Sequence, residues 1–85
     1  MKKLKTASKI KLGDYIKAIN KGGDFIIFKA DYSFKYHTSN VTIIDTNIDI
    51  LKSMIGKTGI LSKFTLDTEF TMYKLNKFEC WLYKI

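Results

Sequence analysis

From Ile26 onward every second residue up to Tyr36 is apolar or aromatic (Ile26, Phe28, Ala30, Tyr32, Phe34, Tyr36), while Lys29, Asp31, Ser33, Lys35 and His37 between them are polar. A two-residue period is the period of side chains on a pleated strand, and no helix reproduces it. The run therefore predicts one half-buried strand, or two strands meeting near Ser33, with one face turned into a core. His37-Thr38-Ser39-Asn40 reads as a turn, and Val41–Asp45 as a further short strand.

Helical spacing predicts two further elements. Leu12, Tyr15, Ile16, Ala18 and Ile19 follow the i, i+3, i+4, i+7 stripe of a helix over Asp14–Lys21, with Ser8 or Asp14 to start it and Gly22 to end it. Thr46-Asn47-Ile48-Asp49 fits a capping box, so Asn47–Ile55 reads as a second helix carrying Ile50, Leu51, Met54 and Ile55 and closed by Gly56. Ile60–Leu66 and Glu69–Leu75 read as strands around a turn at Asp67-Thr68, with Ile60, Phe64, Leu66, Phe70 and Met72 inward. Lys77–Ile85 reads as a last strand. Asp14–Ile19 and Asp49–Met54 share the order acid, two apolars, Lys, small residue, apolar, which suggests two αββ halves. Short connections favour antiparallel pairing. The expected fold is α+β, a four- or five-stranded mainly antiparallel sheet with both helices on one face.

An alternative rests on resemblance. Lys11-Leu12-Gly13-Asp14-Tyr15-Ile16-Lys17 resembles the first strand of small Src-homology-3-like barrels, and Gly56-Lys57-Thr58-Gly59-Ile60-Leu61 is similar to the Gly-x-x-Gly that leads into a strand there. The resemblance implies a small β-barrel and carries no function with it.

The chain is one domain of 85 residues, 46% hydrophobic, with residues 1–11 as a basic N-terminal arm. A domain of this size buries only roughly 60–65% of its unfolded surface, so each of the twelve aromatics counts in a thin core. The usage is skewed toward A/T-rich codons, with fifteen Lys and no Arg, twelve Ile and one Val, which points to a low-GC bacterium or one of its phages or mobile elements. The net charge of +7 favours a polyanionic partner. Lys2, Lys3, Lys5, Lys9 and Lys11 are placed to neutralise phosphates. Without Arg the bidentate contact to guanine is missing, so binding is expected to follow shape and charge. Lys29 and Lys35 interleave with Tyr32, Phe34 and Tyr36, which could stack bases. Their phase with Ile26 and Phe28 favours the core for those aromatics. Trp81 and Tyr83, near the end of the chain, are the residue types that anchor protein interfaces.

Motifs for chemistry are incomplete. Gly56-Lys57-Thr58 lacks the earlier glycine of a phosphate-binding loop, since Leu51 stands there, and precedes a strand instead of a helix. His37 has no ligand set spaced around it. Cys80 reads as a small buried side chain, and a lone Cys suits a reducing, cytoplasmic setting. Asp67 and Glu69 flank a turn, where solvated carboxylates are ordinary. Lys9 and Lys11 interrupt any signal peptide. The longest apolar run, Phe25–Phe28, is far short of the roughly 20 residues of a membrane span. The expectation is thus a non-catalytic binding protein with no cofactor or metal, engaging nucleic acid or a nucleic-acid-bearing complex. The alternative is a protein-directed inhibitor or adapter of the phage anti-defence or anti-CRISPR type, binding a host protein through an aromatic-bearing edge.

Overall fold

A computed structural model describes residues 1–85. In chain order the elements are β1 (Lys2–Leu4), a 3-10 turn at Ala7–Lys9, β2 (Tyr15–Ile19), β3 (Phe25–Ala30), β4 (Thr38–Thr46), a 3-10 segment at Asp49–Met54, β5 (Thr58–Ser62), α1 (Lys63–Glu69), β6 (Thr71–Lys74) and α2 (Lys77–Leu82). The strands form one antiparallel sheet in the order β1-β6-β2-β3-β4-β5. The α+β antiparallel class is the one expected, with six strands. β1 and β5 do not pair, so the sheet is open and the barrel alternative is not formed. The two stretches that resemble barrel strands do lead into β2 and β5.

Asp14–Lys21 is not a helix. Tyr15–Ile19 is a central strand between β6 and β3, with Ile16 and Ala18 in the core and Tyr15, Lys17 and Ile19 half-buried on the other side. With apolar Tyr15 and Ile19 on the outer face as well as Ile16 and Ala18 in the core, the strand's apolar spacing imitates a helix. The Asp14 carboxylate accepts the Lys11 N–H at 2.9 Å, closing a turn in place of capping a helix. Gly22-Gly23 belongs to the β2–β3 hairpin. There Asn20 Oδ1 accepts the N–H groups of Gly22 and Asp24, each at 2.9 Å, and Gly23 takes φ +85°, a conformation that only glycine adopts freely.

The alternating run holds as far as Ala30. Ile26, Phe28 and Ala30 are buried, as is Phe34, whose ring lies 6.3 Å from that of Phe28. After Ala30 the chain leaves the sheet, and Tyr32 (61% exposed) and Tyr36 (79% exposed) turn to solvent, against the expectation that both join the buried face. β4 is longer than expected and carries a bulge: Ile27 faces Asp45 but Phe28 faces Ile43, leaving Ile44 as the extra residue.

The capping box at Thr46 is not used as one. Thr46 Oγ1 donates to the Phe25 carbonyl at 2.7 Å and accepts from the Ile48 N–H at 3.1 Å, tying the end of β4 to β3. The segment after it is a six-residue 3-10 turn without a side-chain cap. Leu51 and Met54 reach the core from it while Ile50 stays exposed. With β2 in place of the first helix, the two αββ halves do not exist.

After β5 the chain turns helical where a strand is expected. Ser62 caps α1 by accepting the Thr65 N–H at 3.3 Å. The helix buries Leu66 alone, leaving Ile60 and Phe64 exposed and Phe70 half-buried, so of the expected inward set only Leu66 and Met72 are fully in the core. Lys77–Leu82 is likewise helical, because Asn76 and Glu79 form a complete capping box. The helices lie on opposite faces, not on one. Leu66 of α1 is in the main core cluster, whereas Tyr83, directly after α2, reaches Lys17 on the other side of β2.

Residues 1–11 are built into the fold and do not form a detached arm. Leu4, Ala7 and Ile10 are buried, and the Ala7 N–H donates to the Asp67 carboxylate of α1 at 2.6 Å.

Candidate nucleic-acid interface

The main core occupies one face of the sheet, through Leu4, Met72, Ile16, Ala18, Ile26 and Phe28. Residues of opposite phase therefore share the second face. Cross-strand partners in an antiparallel ladder point to the same side. The register Lys3↔Tyr73↔Lys17↔Ile27 thus lays two lysines on either side of a tyrosine in one row across β1, β6, β2 and β3. The adjoining row holds Tyr15 opposite Lys29, and the row on the other side holds Thr71, Ile19 and Phe25. Tyr73, Tyr15 and Phe25 are half-buried, and Ile27 is buried although it lies outside the main core cluster.

The lysine amines are held by the aromatics. Lys29 Nζ lies 5.9 Å from the Tyr15 centroid and Lys17 Nζ 5.4 Å from that of Phe25, distances at which a cation is attracted to a ring face. Lys17 Nζ also lies 2.9 Å from Tyr83 Oη but 5.3 Å from that ring's centroid. The amine is therefore beyond the hydroxyl and near the ring plane, so this contact is a hydrogen bond that Lys17 donates. No carboxylate pairs with Lys3, Lys17 or Lys29; among fifteen lysines only Lys52 and Lys74 have one within 4.0 Å. Asp45, opposite Ile27, bounds the basic rows on the β4 side.

No family model, curated protein or solved structure matches the chain. The site thus rests on its own geometry.

α2 borders this face and adds to it. Phe78 (65% exposed) and Trp81 (71% exposed) stack with centroids 6.1 Å apart, and Leu82 beside them is also exposed. A cleft of about 380 Å³ runs between the helix and the sheet, lined by Tyr15, Lys74, Leu75, Lys77, Cys80 and Trp81 among others. Inside it the Cys80 thiol is pushed above its ordinary value, first by burial and then by the charge of Glu79, which disfavours the reactive thiolate. The Glu79 carboxyl is held below its ordinary value, chiefly by the hydrogen bond it accepts from the Asn76 N–H. No group of three or more His, Cys, Asp or Glu side chains converges as a metal site would require.

The structure distributes the residues singled out from sequence over several places. Lys3 and Lys29 lie on the aromatic face, with Trp81 and Tyr83 at its border. Lys2, Lys5, Lys9 and Lys11 are exposed along the first folded segment. Lys35 lies with Leu12, Tyr32 and Tyr36 in a separate open depression of about 440 Å³. Lys17, Tyr15, Tyr73 and Phe25 escape sequence reading because only the pairing of distant strands brings them together. The one local clue is the alternation Tyr15, Lys17, Ile19, read there as a helix.

No helix is long and apolar enough to cross a membrane.

Proposed function

We propose that the protein binds nucleic acid non-catalytically, with a preference for single strands, on the second face of its sheet. The observation that carries this reading is the row Lys3-Tyr73-Lys17 beside Tyr15-Lys29, on a face free of paired carboxylates. The accessible parts of these half-buried rings offer stacking to any base, while neighbouring lysines neutralise the backbone. Stacking is worth roughly 1–3 kcal/mol per base. Lys acts as a point charge, so sequence discrimination is weak.

The test is fluorescence anisotropy with a labelled oligo-dT and its duplex across a salt series. Tyr73→Ala should weaken the single strand about tenfold or more at low salt and the duplex far less. Failure of the unmodified protein to bind either probe at low salt would sink the reading.

A second reading is favoured by the stacked, exposed Phe78 and Trp81: an inhibitor or adapter that docks on a protein through α2. It separates from the first by capture from a low-GC bacterial lysate with and without nuclease, since a partner retained after nuclease through Trp81 supports the second.

A further inference from the structure

The sheet has two free edges, and they differ in chemistry. β1 carries Lys2 and Lys3, followed by Lys5, and charged side chains on an edge discourage further strand pairing. β5 at the other edge reads Thr58-Gly59-Ile60-Leu61-Ser62, with no charge and no proline, and β4 is its sole strand partner. Lys57 and Lys63, just outside it, both face β4: the Lys57 carbonyl accepts from the Ile43 N–H at 3.0 Å and the Lys63 N–H donates to the His37 carbonyl at 2.8 Å. The two-residue period of the ladder then turns Gly59 and Leu61 toward β4 and the backbone groups of Thr58 and Ile60 toward solvent. Beneath this edge runs a mostly apolar groove of about 390 Å³, walled by Ile48, Leu51, Leu61, Leu66 and Phe70, with Glu69 its one charged lining residue. Ile60, 70% exposed, stands on its rim.

We infer that β5 is a docking edge for an extended acidic segment of another protein, which adds to the sheet as a seventh strand, antiparallel to β5. Backbone groups of Thr58 and Ile60 supply the pairing, and the incoming side chains opposite Gly59 and Leu61 fall on the groove side, next to the Met54 methyl that packs against Gly59. Charge selects the occupant. In antiparallel pairing centred on Ile60, a second copy of the chain would set its own Lys63 against Lys57 and its own Lys57 against Lys63, two like-charge contacts between molecules of net charge +7. A segment with Glu at both ends makes two attractive contacts at the same places. This surface is on the far edge from β1 and is independent of the nucleic-acid reading.

The test uses the peptide acetyl-Glu-Thr-Val-Ile-Val-Thr-Glu-amide, its analogue with Lys for both Glu, and backbone amide shifts by NMR. The acidic peptide should perturb Thr58–Ser62 and bind about tenfold more tightly than the lysine analogue, as two reversed rim charges dictate. Ile60→Pro removes an outward N–H without touching the β4 ladder, so it should abolish peptide binding while the remaining shifts stay in place. Lys57→Glu with Lys63→Glu should invert the peptide preference. Equal binding of both peptides, or shifts confined to another surface, would overturn the inference. So would a concentration-dependent dimer, in sedimentation equilibrium, that Ile60→Pro dissolves, because the occupant would then be a second copy.

Discussion

Phe28 is fully buried at the centre of β3, in contact distance of Phe34 and flanked across the sheet by Ile16 and Ile43. Phe28→Ala leaves a cavity that its neighbours, fixed in a ladder, cannot fill, at a cost of roughly 3–5 kcal/mol. Total stability for a domain of this size is on the order of 5–10 kcal/mol, so the variant should unfold largely in mild denaturant, and an unchanged thermal midpoint would refute the register. Cys80 behaves differently. Burial and the Glu79 charge raise its pKa and disfavour the thiolate, so alkylation by iodoacetamide should be slower than for a free exposed thiol and speed up as the pH rises. Cys80→Ala should cost roughly 0.5–1 kcal/mol and leave oligo-dT binding intact. Glu79 sets an acid limit. A carboxylate whose folded value is depressed stabilises the fold above its unfolded value near 4.5, and that contribution is lost as pH falls through the lower folded value. The midpoint difference between the unmodified protein and Glu79→Gln should therefore shrink between pH 6 and pH 3, as read by circular dichroism.

At the scale of elements, α2 draws little support from burial, since none of its residues is fully buried. A six-residue helix is too short to persist without its ends secured. Asn76→Ala removes the acceptor for the Glu79 N–H and should cost about 1 kcal/mol. Because Tyr83 follows the helix and holds Lys17, fraying also frees the Lys17 amine, so oligo-dT affinity should change along with Trp81 fluorescence. This helix was legible: Asn76-x-x-Glu79 is a capping-box spacing, overlooked where the β-rich residues Phe78, Trp81 and Tyr83 invite a strand. The opposite error fell at Thr46, where the same motif spans the end of β4 because its hydroxyl bonds to Phe25 across the hairpin. A capping pattern offers the backbone partners, and whether a helix follows depends on what the next residues can bury.

For the molecule as a whole, an accessible surface of 5717 Å² exceeds the roughly 5,200 Å² typical of a folded monomer of this mass. Large apolar groups are exposed in several places, among them Phe78, Trp81 and Leu82 on α2, Ile60 on β5, Phe64 on α1, and Ile50, Tyr32 and Tyr36. Charge gives a global test. Lys3→Gln, Lys17→Gln and Lys29→Gln together should flatten the log–log salt dependence of oligo-dT binding by about 2, at roughly 0.7 per contact on a single strand. Replacing Lys5, Lys9 and Lys11 instead should change it less, because they lie off the aromatic face. An equal loss from both sets would mean that net charge, and not the face, governs binding.

The sequence by itself determined the antiparallel α+β class and the buried face of β3. Those properties follow from local alternation and composition. Tertiary structure decided that Tyr15–Ile19 is a strand, since its backbone is paired by β6 and β3 while Tyr15 and Ile19 put apolar groups on its outer face beside Lys17 and blur the period. It also decided the site. Lys3, Lys17 and Tyr73 become neighbours only when β6 enters between β1 and β2, a pairing set by how the whole sheet closes over its core and not by any residue near them in the chain.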